Sequence, residues 1–108
     1  LEITFLTAEI RDLCEKREAA SDKLGYEAAR ELEERLADIV AVDTVDELAD
    51  LLGASVVDAG PKEKELVLQS NHRIRIGSAH PKDIASKDAT DWSKTNRVKI
   101  LEVRKIDG

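Results

Sequence analysis

The chain has 108 residues, the size of one domain, and its 42% hydrophobic content against 37% charged residues excludes a disordered polypeptide. A single cysteine, Cys14, excludes an internal disulfide, and no apolar run approaches the ~18 residues of a membrane span. The net charge of −6 is uneven: residues 1–54 carry 6 Lys/Arg and 15 Asp/Glu, whereas residues 55–108 carry 11 and 8. An acidic half joined to a mildly basic half is a pattern of polyanion-binding proteins.

Ile3 and Phe5 alternate with polar neighbours, so residues 2–6 are predicted to be a strand. This start has neither a basic n-region nor an apolar h-region, so the chain reads as soluble and cytoplasmic, with no membrane partner. Ile10, Leu13, Cys14 and Leu24, with Ala20 beside them, fall on one helical face, which predicts a helix over 8–23 ending at Gly25. A second helix is expected over 26–41. Ala29, Leu32, Leu36, Ile39 and Val40 form its apolar stripe, while Glu31, Glu33, Glu34 and Arg35 face water. The short link between the two implies an antiparallel helix pair. Thr44-Val45-Asp46-Glu47 has the form of a capping box, with the Thr44 hydroxyl accepting from Glu47 and Glu47 reaching back to Thr44. A short helix bearing Leu48, Leu51 and Leu52 should follow.

After Gly53 the period changes. Residues 55–58 form a possible strand, and 60–62 a turn. Residues 65–69 and 73–77 read as a hairpin. For Leu66 and Leu68 to share a face with Ile74 and Ile76, the loop must hold three residues, Ser70-Asn71-His72, which sets Leu68 opposite Ile74 and a left-handed residue at Asn71 or His72. Glu65, Val67, Gln69, Arg73 and Arg75 then lie on the other face. Residues 78–95 read as an exposed loop anchored by Trp92, and 97–104 as the last strand, whose phase slips at Leu101 in the manner of a bulge or a doubly buried strand. With only Phe5, Tyr26 and Trp92 as aromatics, the core must be aliphatic.

This order gives an α+β domain: a helical hairpin on one face of a small, mainly antiparallel sheet, in β-α-α-β-β-β order, with the other face partly open. His72 and His80 are the only histidines. No Cys/His cluster has zinc spacing, and there is no phosphate-binding glycine loop and no G-x-S-x-G elbow, so neither metal nor cofactor is expected. What remains is a basic set on the sheet side: Lys62, Lys64, Arg73, Arg75, Arg97, Lys99 and Arg104. On alternating positions Arg73 and Arg75 stand about 6.6 Å apart on one face, near the spacing of successive phosphates. An ordinary solvated sheet face would show the same pattern.

The block Asp91-Trp92-Ser93-Lys94 followed by Val98-Lys99-Ile100-Leu101-Glu102-Val103 resembles the loop and last strand of HigB-type killer proteins, a branch of the RelE-like toxins. The segments Glu2-Ile3-Thr4-Phe5, Glu33-Glu34-Arg35-Leu36-Ala37-Asp38 and His72-Arg73-Ile74 resemble family segments in the same order. The resemblance implies a single RelE-like domain, the toxin of a type II toxin–antitoxin pair, that cleaves mRNA on the ribosome and is neutralised by an antitoxin, in this branch a helix-turn-helix protein. It implies Arg73 as the residue that stabilises the scissile phosphate and His72 as a proton donor or stacking group. The family's basic positions before the hairpin fall on Val57, Gly60 and Pro61 here, with Lys62 and Lys64 as nearby substitutes, and the family's terminal aromatic and histidine are replaced by Lys105-Ile106-Asp107-Gly108. The implied catalytic set is therefore Arg73, His72 and Lys64, with Lys62, Arg75, Arg97 and Lys99 as RNA-binding residues. Two other readings of the same fold stay open: a catalytically silent protein-binding module, and a gyrase inhibitor of the ParE type.

Overall fold

The computed structural model describes residues 1–106; Asp107 and Gly108, part of the segment Lys105-Ile106-Asp107-Gly108 singled out above, lie outside the described residues. Alternation at Ile3 and Phe5 produces β1 (Glu2–Phe5), after which the Thr7 hydroxyl accepts from Ile10 N–H and starts α1 (Ala8–Glu15). The single helix expected over 8–23 is broken. Lys16 takes extended dihedrals, and α2 (Arg17–Leu24) continues beyond it. The two pieces serve different neighbours: α1 packs on the sheet and α2 on the next helix. Gly25, at φ +88°, closes α2, and α3 (Tyr26–Ala41) follows directly.

Leu32 and Ile39 of α3 are buried as its apolar period requires, but Val40 is exposed, and Ala28 takes the inward place. Glu31 does not face water as expected. Its carboxylate accepts from Gln69 N–H at 2.6 Å and Ser70 N–H at 3.0 Å, tying α3 to the hairpin turn. Thr44 caps α4 (Val45–Leu52) through Glu47 N–H as predicted. The Glu47 carboxylate, however, reaches Asp43 N–H rather than Thr44.

A 3-10 turn leads into β2 (Val56–Asp58), then β3 (Glu63–Val67) and β4 (His72–Ser78). The hairpin loop has three residues, but they are Gln69, Ser70 and Asn71: Leu66 pairs with Ile74, Val67 with Arg73, and Leu68 N–H reaches His72 C=O. Asn71 is the left-handed residue, at φ +61°. A three-residue loop places that conformation at its last position, and asparagine tolerates it better than histidine. The shift leaves the faces as predicted and draws His72 into the strand.

The segment 78–95 is more than a loop. It contains a short helix, α5 (Pro81–Ala85), with Pro81 in its first turn, where a missing N–H is harmless. The final strand is β5 (Arg97–Lys105), and its register against β4 shifts between Arg75 and Ile76, so the phase slip at Leu101 is a bulge. Strand order is β1-β5-β4-β3-β2, with β1 parallel to β5 and all other pairs antiparallel. Helices α1 to α4 bury one face. Leu13, Leu32, Ile39, Val45 and Leu48 meet Leu66, Ile74, Ile76, Val98 and Ile100 in an aliphatic core. No helix of the described residues is long and apolar enough to cross a membrane.

Candidate nucleic-acid interface

Strand alternation sends Glu65, Arg73, Arg75, Glu102 and Arg104 to the face away from the main helical layer. Register makes them neighbours: Glu65 lies opposite Arg75, Arg75 opposite Glu102, and Arg73 opposite Arg104. At the centre is Glu65, only 5% exposed. Its carboxylate accepts from Arg73 Nη1 at 3.2 Å and from Arg104 Nη2 and Nε at 3.1 and 3.3 Å. Burial pushes the Glu65 pKa up, but the hydrogen bonds from Arg104 and Arg73 and the charge of Arg75 outweigh it, and the net shift is downward. Glu65 is therefore ionised and holds three guanidiniums together.

Arg75 is held differently from the other two. It stands 3.6 Å from Glu63, 3.7 Å from Glu65 and 3.7 Å from Glu102. All three contacts are longer than a hydrogen bond. Arg75 is thus ion-paired to three carboxylates without a hydrogen bond to any of them, and its Nε is buried out of a ligand's reach. Lys99, opposite Gly77, shares this face and makes no ion pair among the described residues. Arg97 lies at the end of the same strand, paired with Glu2 at 3.0 Å, and both side chains are exposed. Lys62 donates to the Asp83 carbonyl at 3.1 Å, bracing α5 against the sheet.

The other two expected catalytic residues do not join Arg73. Lys64 pairs in register with Ile76, so it points to the helical side. Its ammonium lies 2.7 Å from Asp58 Oδ1 and 5.5 Å from the centre of the Trp92 ring. His72 is buried at 6% exposure on that same side. Its Nδ1 donates to the Ser70 carbonyl at 2.9 Å, since a carbonyl can only accept. The structure therefore brings Arg73, Arg75 and Arg104 together, sets Lys99 and Lys62 beside them, and puts His72 and Lys64 across the sheet. The physical reason is the two-residue period of the strand: neighbours such as His72 and Arg73 cannot share a face.

The Asp91-Trp92-Ser93-Lys94 block is a clasp. Asp91 Oδ1 accepts from Ser93 N–H at 3.1 Å and from the Ser93 hydroxyl at 2.5 Å, which closes a tight turn. These bonds, the side-chain one first, hold the Asp91 pKa below its usual value. The turn presents the carbonyls of Trp92 and Thr95 to the N–H groups of Asp46 and Val45 at 3.3 and 3.1 Å. Those are two of the donors that open α4 and have no partner within the helix. Trp92 itself packs against the core.

A cavity of about 250 Å³ opens beside the arginine cluster, where α5 meets the far side of the sheet. Leu6, Gly77, Ile84 and Leu101 form its apolar part, and Lys62 and Lys99 stand at it. Among the described residues no three His, Cys, Asp or Glu side chains gather in a metal-binding group. Cys14 is an inert thiol: burial, and then the charge of Glu15, push its pKa up to about 11. The residue that sequence reasoning undervalued is Glu65. Its place on the polar face was available from the hairpin parity, but the expected register set it opposite Gly77 rather than Arg75, and its role as the hub was not legible. Comparison with protein-family models, curated proteins and solved structures finds no match for this chain, so the chemistry of these residues must carry the functional reading.

Proposed function

We propose that this chain is a RelE-like toxin domain of the HigB kind, the toxin half of a type II toxin–antitoxin pair. It cleaves mRNA on the ribosome until a helix-turn-helix antitoxin binds it. The single observation that carries this reading is the gathering of Arg73, Arg75 and Arg104 around one site on the sheet face that α1 to α4 leave free. Three guanidiniums converging on a carboxylate also suit a phosphate, because both ligands offer a planar pair of oxygens to a forked donor.

The reaction asks little else of the protein. The RNA 2′-OH attacks the adjacent phosphorus, the P–O5′ bond breaks, and a 2′,3′-cyclic phosphate and a 5′-OH result. Negative charge grows on the non-bridging oxygens, and guanidiniums fixed in place stabilise it without reorganising. Proton transfer falls to a group on the same face, and Lys99 and Lys62 are the amines there. His72 and Lys64 play supporting parts from the opposite side, through the strand and the Trp92 clasp.

Expression without an antitoxin should arrest growth and cut translated messages, and Arg73→Ala with Arg75→Ala should remove both effects while the protein still folds. Normal growth at high expression of folded protein would reject the toxin reading. A second reading, a silent RelE-like module that only binds its partner, is favoured by Glu65, whose charge already neutralises much of the cluster. It predicts tight antitoxin binding and no RNA cleavage.

A further inference from the structure

We propose that the far sheet face holds a single ribonucleotide unit in two adjoining parts, its phosphate at Arg75 and its base in the cavity under α5. The proposal rests on the RNA reading above and adds to it where one nucleotide sits. Four observations lead to it.

First, the bulge in β5 changes which side chains reach this face. Lys99 lies opposite Gly77 and Glu102 opposite Arg75, so the extra residue between them, Leu101, is turned toward the same charged surface. Its Cδ1 would lie 3.3 Å from a Cβ at Gly77, so the absence of a side chain there lets Leu101 lie flat on the strand. Bulges re-aim side chains in this way beside functional sites. Second, Leu6 and Ile84, the other apolar walls, remain 54% and 58% exposed. Three aliphatic side chains thus line a hollow on an otherwise charged face, outside the core.

Third, the rim carries both donors and acceptors. Among the described residues, Lys99 supplies an ammonium without an ion pair and Lys62 one that already donates to the Asp83 carbonyl; Glu63 and Asp83 supply carboxylates, the latter accepting from the Ser78 hydroxyl at 2.7 Å, and behind them the Thr90 hydroxyl oxygen is buried without a hydrogen-bond partner. A nucleobase has apolar faces and an edge of mixed donors and acceptors, so it matches such a lining better than a purely anionic or purely apolar ligand does. Fourth, Arg75 stands two residues from Gly77 on the same strand face, about 6.6 Å away. Glu63 both faces Arg75 and lines the cavity. The terminal Nη groups of Arg75, ion-paired but without a hydrogen bond among the described residues, therefore lie where the phosphate of a nucleotide would be if its base filled the hollow. Three larger hollows on the helical side lack this combination: two are lined by Arg17, which is hydrogen-bonded to Glu33 at 2.9 Å, and the third carries three carboxylates, Glu27, Glu31 and Glu34, against two arginines.

The test is a titration of the purified chain, followed by backbone amide NMR, with the four nucleoside 3′-monophosphates, ribose 5-phosphate and inorganic phosphate. At least one nucleotide should bind about tenfold more tightly than base-free ribose 5-phosphate, the gain expected from docking one base. Ile84→Asp, at an exposed position, should abolish that advantage, weakening the nucleotides more than ribose 5-phosphate. Arg75→Ala should weaken all the phosphate ligands. Leu6→Asp provides a second cavity variant should Ile84→Asp fold poorly. Equal binding of nucleotides and ribose 5-phosphate, or a nucleotide preference indifferent to both cavity variants, would overturn the proposal, even if the protein still arrests growth. Conversely, nucleotide preference lost in Ile84→Asp, combined with normal growth on expression, would keep the nucleotide site and reject the toxin.

Discussion

Glu65 is the one carboxylate that three arginines share, and removing it has two distinct consequences. Glu65→Ala leaves Arg73 and Arg104 without their acceptor and Arg75 with one fewer counter-charge. Breaking a buried ionic contact from one side costs about 3–5 kcal/mol. The arginines keep about a third of their side-chain surface in water, so the low end, about 3 kcal/mol, is the expected loss in urea unfolding. Glu65→Gln keeps the shape and loses less. The pH dependence follows from the direction of the shift. The folded pKa of Glu65 lies below its unfolded value, so its stabilisation is complete above the unfolded carboxylate range, about pH 4.3. It fades as the pH falls through the lower folded value. Acid unfolding of the Glu65→Gln protein should therefore show a shallower loss of stability below about pH 4 than the parent. Identical acid limbs would show that the three arginines do not hold Glu65 ionised.

Among the elements, the clasp from Asp91 to Thr95 shows how a sequence block can be conspicuous for a mechanical reason. Trp92→Ala removes the ring that packs on the core and lies under Lys64, and loosens the carbonyls that cap α4. A half-buried tryptophan places the loss near the lower end of the large-to-small range, about 3 kcal/mol. Hydrogen exchange should rise first at Val45 and Asp46; unchanged protection there would show that the clasp does not cap the helix. Period was the legible part of the fold. Leu32 and Ile39, the alternation at Ile74 and Ile76, and the slip at Leu101 each announced an element or an irregularity. The break at Lys16 was not legible, because lysine is an ordinary helix former and the interruption serves packing against different neighbours. α5 was hidden too, since five residues with a single large apolar side chain, Ile84, give no period to read. At the site, alternation correctly paired Arg73 with Arg75. It should also have separated His72 from Arg73, but the histidine was assigned to the turn, where strand parity does not apply.

Across the whole molecule, charge and layer coincide. The acidic half forms helices α1 to α4, and the arginines of the second half meet carboxylates of the sheet, while Lys99 makes no ion pair among the described residues. A phosphate chain approaching the far face thus meets a surface near neutrality, and its grip depends on local donors such as those of Arg75 more than on long-range attraction. The sheet has a further property. One side of it is built from the first and last strands: β1 is the edge strand, its one strand neighbour is β5, and β5 joins it to β4. A chain stopped after residue 96 should lack cooperative unfolding and fixed tertiary signals; a sharp melting transition from that fragment would contradict the arrangement.

Translation proceeds from the amino end, so the earliest strand emerges long before the neighbour it requires. Until that late segment clears the exit tunnel, β1 has no lateral partner and the arginine cluster lacks Arg104. A copy stopped before that segment therefore holds neither the complete sheet nor the complete arginine cluster. Any chemistry of the arginine cluster thus waits until β5 has been made and has paired with both β4 and β1.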